Sequence, residues 1–148
     1  MKVIEGDITD IVKGVIVHQV NCQNVIGAGV SGALIRKYRE VKTSYHDVFR
    51  NENPFYLFGK FREVAVTEDL LVVHAFSQFG YGNAAKTGKV YTDMEKLVKI
   101  LSDVCKKYPD RNIYIPCGIG CGLAGGNWKE LVRRINDLLL TVVELPEK

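Results

Sequence analysis

Apolar and polar positions along this chain follow two periods in turn, one suited to strands and one to helices. Val15-Ile16-Val17-His18-Gln19-Val20 is a β-branched run of the kind that fills a strand buried on both faces. Lys2 to Glu5 predicts a short strand closed by Gly6-Asp7, and Phe61 to Thr67 and Leu70 to Phe76 predict two more joined by Glu68-Asp69. Asn112 to Pro116 and Thr141 to Leu145 complete the predicted strands. Between them, Val30, Ala33, Leu34 and Tyr38 recur at helical spacing, and Tyr45, Val48 and Phe49 predict a second short helix. The clearest helix carries Met94, Leu97, Val98, Leu101, Val104, Cys105 and Tyr108 on one stripe. Thr92 and Glu95 have the spacing of a capping box at its start, and Pro109 follows its end. Asn127 with Glu130 opens a last helix expected to turn Trp128, Leu131, Ile135, Leu138 and Leu139 inward. Strands alternating with helices predict a layered α/β sandwich with a mixed, largely parallel sheet. In such sheets ligands sit beyond the carboxyl ends of the strands.

The chain of 148 residues is 47% hydrophobic, enough to fill the core of one ordinary domain, and one domain over 1–148 is expected. Charged residues make up 25% without runs of one sign, which argues against a disordered tail. No apolar stretch reaches the roughly 20 residues of a membrane span, so no membrane partner is expected. The four cysteines, at 22, 105, 117 and 121, are too few and too irregular for a disulfide framework. A reducing cytoplasm is the compartment that fits them. A net charge of +3 suits an anionic ligand but lacks the clustered basic footprint of a nucleic-acid binder.

Two loops carry the candidate chemistry. After the second strand, Gly27, Gly29 and Gly32 have the G-x-G-x-x-G spacing that lets backbone amides approach a diphosphate at a helix N-terminus. Six residues (Asn21 to Ile26) separate that strand from the glycines, so the Rossmann fingerprint is not met, and a plain glycine-rich helix start is the alternative. The second loop, Pro116 to Trp128, holds five glycines in the nine residues from Gly118 to Gly126. Each glycine costs backbone entropy, and a plain turn needs one or two. An anion-cradling nest is the natural reason for five. The loop lacks the Gly-Lys-Ser/Thr ending of a Walker A motif, which argues against nucleoside triphosphate hydrolysis. Cys117 and Cys121 have neither the spacing nor the further ligands of a zinc site, so no metal is assigned. Cys121 reads as packing, and His18 and His74 as core histidines or as strand-end groups at a ligand cleft. Ser77 to Asn83 is either a lid or a surface loop.

The order Gly6-Asp7-Ile8-Thr9, then Val20-Asn21-Cys22-Gln23-Asn24 with Gly27-Ala28-Gly29-Val30, then Gly118-Ile119-Gly120-Cys121-Gly122-Leu123, resembles the macrodomain (Appr-1-p processing) family. The resemblance spans essentially the whole chain and implies a three-layer α/β/α sandwich that binds ADP-ribose without a cofactor. It implies that Asp7 accepts a hydrogen bond from the adenine amine and that the Ile8 amide helps hold the ring. Asn24 would bond the distal ribose, with Asn21 supporting its loop. Amides of Gly27, Ala28, Gly29 and Val30, and of Gly118, Ile119, Gly120, Cys121, Gly122 and Leu123, would surround the diphosphate and distal ribose.

Within the family, the second loop looks most like the branch of ADP-ribose 1''-phosphate phosphatases and terminal ADP-ribose glycohydrolases. The glycohydrolases use a lysine and an aspartate, whose positions hold Gln78 and Ala124 here, so that route lacks its amine and its carboxylate. The first loop is also shorter and poorer in glycine than that of the protein-deacylating branch. Two functions follow from the resemblance. One is hydrolysis of the phosphate from ADP-ribose 1''-phosphate, with Asn24 as the catalytic residue that orients a water, and His18, His74 or Cys121 as assistants. The other is a non-catalytic module that reads or sequesters free or protein-linked ADP-ribose, so that ADP-ribosylated macromolecules are candidate partners. A monomer is expected.

Overall fold

The computed structural model describes residues 1–147. In chain order the strands are β1 (Lys2–Glu5), β2 (Gly14–Asn21), β3 (Phe61–Ala65), β4 (Leu70–Gln78), β5 (Ile113–Pro116) and β6 (Thr141–Glu144). They form one sheet in the order β1-β6-β5-β2-β4-β3. All neighbours are parallel except β3, which pairs antiparallel with β4 at the edge. The main helices are α1 (Gly29–Lys37), α2 (Arg39–Asn51), α5 (Met94–Lys107) and α6 (Trp128–Ile135). Two single-turn helices, α3 (Pro54–Leu57) and α4 (Ala84–Thr87), lie between them.

Strand alternation sorts the side chains into layers. Val15 and Val17 of β2, with Val73 and Ala75 of β4, pack against Leu97, Leu101 and Val104 of α5 and Leu131 and Ile135 of α6. On the other face, Ile16 and Val72 meet Leu34 of α1 and Val41 of α2. Val20 and Phe76 continue that face against Tyr45 of α2 and Leu57 of α3. Both faces of the central strands are therefore covered, and the result is a three-layer α/β/α sandwich with a mixed, largely parallel sheet. Each fully buried valine, isoleucine or leucine contributes roughly 1.5–3 kcal/mol of transfer free energy.

Several expectations are corrected in detail. Asp93, not Thr92, caps α5, its carboxylate accepting from the Lys96 amide at 3.0 Å. Thr92 is drawn instead to the second glycine loop, where its hydroxyl donates to the Gly120 carbonyl at 2.6 Å. Helix α6 ends at Ile135, and the Leu138 amide then bonds the Ile135 carbonyl in a tighter turn. That turn shifts the helical phase, so Leu139 is 87% exposed and Leu140 takes the buried position. Strand β3 stops at Ala65, and β6 at Glu144 with Leu145 exposed. Helix α2 is longer than expected, and α3 and α4 start where Asn53 and Asn83 cap the following amides.

Candidate functional site

Strands β2 and β5 end beside each other, and the two glycine loops leave from those ends. Between them lies an open cavity of about 640 Å³. Its walls include Asn21, Gly27, Ala28, Gly29 and Val30 from the first loop and Gly118, Ile119, Gly120, Gly122 and Leu123 from the second. His18, Gln19, Ser31, Gln78, Tyr81, Gly82, Cys117 and Ala124 also line it. No aspartate, glutamate, lysine or arginine is among the residues that line it.

The first loop is held from below. Asn21 is buried; its amide donates to the Val25 carbonyl at 2.7 Å, and its Oδ1 accepts from the Gln23 amide at 2.9 Å. The Tyr45 hydroxyl lies 2.9 Å from both Asn21 oxygens. Burial raises the Tyr45 hydroxyl far above the usual phenol range, so it stays a donor. Helix α1 then starts at Gly29 with no side-chain cap. The amides of Gly29, Val30 and Ser31 precede the first intrahelical bond and form the positive end of the helix dipole.

In the second loop the amides divide into two sets. Those of Ile119, Cys121, Gly125 and Gly126 bond the carbonyls of Pro116, Gly118, Gly122 and Gly120 and fix the loop's shape. Those of Gly118, Gly120, Gly122 and Leu123 have no acceptor among the described residues. Gly120 sits at φ +71, and a Cβ there would come within 2.8 Å of Gln19 Oε1. This close approach requires glycine. Gln19 is itself fixed: its amide donates to Gln78 Oε1 and Thr92 Oγ1, both at 2.9 Å, and its Oε1 accepts from Ser77 at 2.6 Å. A register shift in the β2–β4 ladder pairs Asn21 with Gln78 and lets the consecutive Ser77 and Gln78 both reach Gln19.

Four of the residues expected at the site stand apart from the cavity wall. Asp7 is exposed and caps the turn Ile8–Asp10, accepting from the amide and hydroxyl of Thr9 at 2.9 and 2.7 Å. Those bonds, the hydroxyl foremost, lower its carboxyl below the usual range. Ile8 is buried in the same cluster as Val30, so the turn adjoins the Val30 side of the cavity. Asn24 is exposed, adopts φ +62, and bonds Nδ1 of His46 on α2 through its Oδ1. Cys121 donates its thiol to the Ile119 carbonyl at 3.3 Å, and burial pushes that thiol up to about 11. A protonated, donating thiol is a poor nucleophile.

Sequence reasoning names His18 and His74 singly but misses the polar chain that they form with Ser31 and Ser44 behind the cavity. His18 and His74 are register partners on β2 and β4, both almost fully buried. His18 Nε2 lies 2.7 Å from His74 Nδ1, His18 Nδ1 lies 2.8 Å from Ser31 Oγ, and His74 Nε2 lies 2.7 Å from Ser44 Oγ. Desolvation holds both rings neutral, with His74 lowered to about 4 and His18 also well below its usual value. The matching words Val15-Ile16-Val17-His18 and Leu71-Val72-Val73-His74 were the available signal. Tyr81 and Gly82 place part of the Ser77 to Asn83 segment on the cavity wall. Its end is tied to the second loop by the Ala84 amide on the Leu123 carbonyl at 2.8 Å.

No protein-family model matches the chain, and no curated protein matches its sequence. Solved structures do. A protein of unknown function from Bacteroides thetaiotaomicron is 27% identical over 97% of each chain, with a TM-score of 0.83. A macrodomain protein from Streptomyces coelicolor is 22% identical over 99% of each chain, with a TM-score of 0.75. Thermosipho africanus DarTG, solved in complex with ADP-ribose, is 15% identical over 90% of this chain and 38% of its own, with a TM-score of 0.67. With its central parallel strands, its two glycine loops at the carboxyl ends of adjacent strands and these likenesses, the chain has the macrodomain fold.

Proposed function

We propose that the cavity binds ADP-ribose and that the protein removes phosphate from ADP-ribose 1''-phosphate. The observation that carries this reading is the convergence of unpaired backbone amides from both glycine loops on one cavity without charged side chains. Backbone dipoles of this kind hold a diphosphate by hydrogen bonds and by the helix field, not by ion pairing. The cavity volume lies in the usual range for ligands of this size.

In this reading Asp7 selects adenine, because a carboxylate is an acceptor only and the adenine amine is a donor. Asn24 orients ribose or water after its amide turns from His46 to the ligand. Gln78 and Ala124 line the cavity where the glycohydrolase branch would need an amine and a carboxylate, so phosphate release is preferred to glycosidic cleavage.

The uncharged wall also favours a second reading, a non-catalytic module that binds free or protein-linked ADP-ribose. Phosphate release from ADP-ribose 1''-phosphate, measured beside ADP-ribose affinity, separates the two. Turnover supports the phosphatase; tight binding without release supports the module.

A further inference from the structure

The chain Ser31–His18–His74–Ser44 runs from the cavity wall through the sheet face to helix α2. Its heavy atoms admit two proton arrangements that satisfy every link. In the first, Ser44 donates to the Val41 carbonyl at 3.3 Å and accepts from His74 Nε2. His74 Nδ1 then accepts from His18 Nε2, and the bare His18 Nδ1 accepts from the Ser31 hydroxyl. In the second, every proton is moved one place: Ser44 donates to His74, His74 to His18, and His18 to Ser31. The Ser31 hydroxyl then has the Gln19 carbonyl at 3.4 Å as its acceptor. A mixed arrangement would set two N–H groups or two lone pairs against each other between the rings. The two imidazoles must therefore change tautomer together.

We propose that this chain is a proton relay serving the cavity, with Ser31 as the catalytic group that takes the proton of the attacking water. The inference rests on the hydrolytic reading above. As the water oxygen bonds phosphorus and the ribose–oxygen bond to phosphorus breaks, the water proton passes to Ser31 Oγ. The Ser31 proton passes to His18 Nδ1, the His18 Nε2 proton to His74 Nδ1, and the His74 Nε2 proton to Ser44. The former Ser44 proton leaves to solvent at the half-buried α2 side, and the ribose oxygen takes one from solvent at the open mouth. One water is consumed, and one alcohol and one inorganic phosphate are formed. Neither ring carries charge in its resting or shifted form, which suits two imidazoles 1% and 0% exposed. Reverse transfer after product release resets the chain.

Imidazole nitrogen NMR on the full-length ¹⁵N-labelled protein tests the relay apart from turnover. An unpaired lone pair is tolerated better than an orphaned N–H. Ser31→Ala should therefore place both rings in the Nε2–H form, and Ser44→Ala should place both in the Nδ1–H form. Ser44 does not touch His18, so a tautomer change there is a readout that lost packing would not produce. With ADP-ribose 1''-phosphate, Ser31→Ala should lower kcat by roughly 10²-fold or more with KM little changed, in line with general acid–base transfer. Ser44→Ala should lower kcat in the same direction, and Ser44→Thr should restore it. Opposed or independent tautomers in an active enzyme overturn the relay alone, as does unchanged kcat in both alanine variants. A wild type that releases no phosphate overturns the hydrolytic reading, and with it the use of the relay.

Discussion

The Tyr45 hydroxyl on α2 stands 2.9 Å from both the backbone oxygen and the side-chain oxygen of Asn21, the last residue of β2. A fully buried aromatic on one layer thus anchors the loop that leaves the sheet for the cavity. Tyr45→Phe keeps the ring packing and removes the anchor. Stability should fall by roughly 1–3 kcal/mol, the range for leaving buried polar groups unpaired. Urea unfolding measures it, and ADP-ribose affinity should fall with it because the first loop is loosened.

Acid should destabilise the fold through His18 and His74. Both are held below the ordinary histidine value of about 6.5, His74 at about 4, so between those limits the unfolded chain binds more protons than the native one. Stability is therefore full above about pH 6.5 and lost as pH falls toward 4. His74 alone predicts a loss of roughly 2 kcal/mol between pH 7 and pH 5, and His18 adds to it in the same direction. Urea unfolding at both pH values checks this, and a His18→Gln, His74→Gln double variant should show a flatter profile.

The two glycine substitutions Gly120→Ala and Gly122→Glu should behave differently. A Cβ at Gly120 meets Gln19 Oε1 at 2.8 Å from a left-handed backbone, whereas one at Gly122 meets nothing within 4 Å. Gly120→Ala should lose stability by roughly 1–3 kcal/mol. Gly122→Glu should unfold at the wild-type denaturant concentration yet place a carboxylate beside the amides proposed to hold phosphate.

Adenine selectivity should reside in Asp7. Asp7→Asn keeps an oxygen for the Thr9 bonds and replaces the other acceptor by a donor. ADP-ribose binding should weaken by roughly 1.5–3 kcal/mol, the range for a hydrogen bond to a charged group. Equal affinity in variant and wild type would remove Asp7 from the site.

Among the thiols, Cys117 is exposed and lines the cavity, whereas Cys22 is buried and Cys121 is half-buried with its thiol bonded to Ile119. Alkylation followed by mass spectrometry should modify Cys117 before Cys22 and Cys121. Added ADP-ribose should slow the modification of Cys117.

Much of the fold was legible because it depends on local period. The run Val15 to Val20 reads as a doubly buried strand, and Leu97, Leu101 and Val104 read as the inner stripe of α5. The misreadings fall where a tertiary partner or an unrecognised turn outweighed the periodic signal. Thr92 has the spacing of a cap but bonds Gly120, a partner 28 residues away. Leu139 continues a helical stripe that the turn after Ile135 ends. Within the site, the glycine loops were visible because their cost demands a reason. The Ser31–His18–His74–Ser44 chain was not, because it needs the β2–β4 register and the docking of two helices. Asn24 is a candidate by resemblance alone, and only the folded α2 brings His46 to it.

If unpaired amides of the two glycine loops hold the phosphates of ADP-ribose, a carboxylate set among them must weaken binding. Calorimetric titration of ADP-ribose into the wild type and into folded Gly122→Glu tests it most directly. The expected result is saturable one-to-one binding by the wild type and at least a tenfold weaker affinity in the variant, a loss of about 1.4 kcal/mol or more. Equal affinities in the two folded proteins, or no binding heat in the wild type across several temperatures, would contradict it.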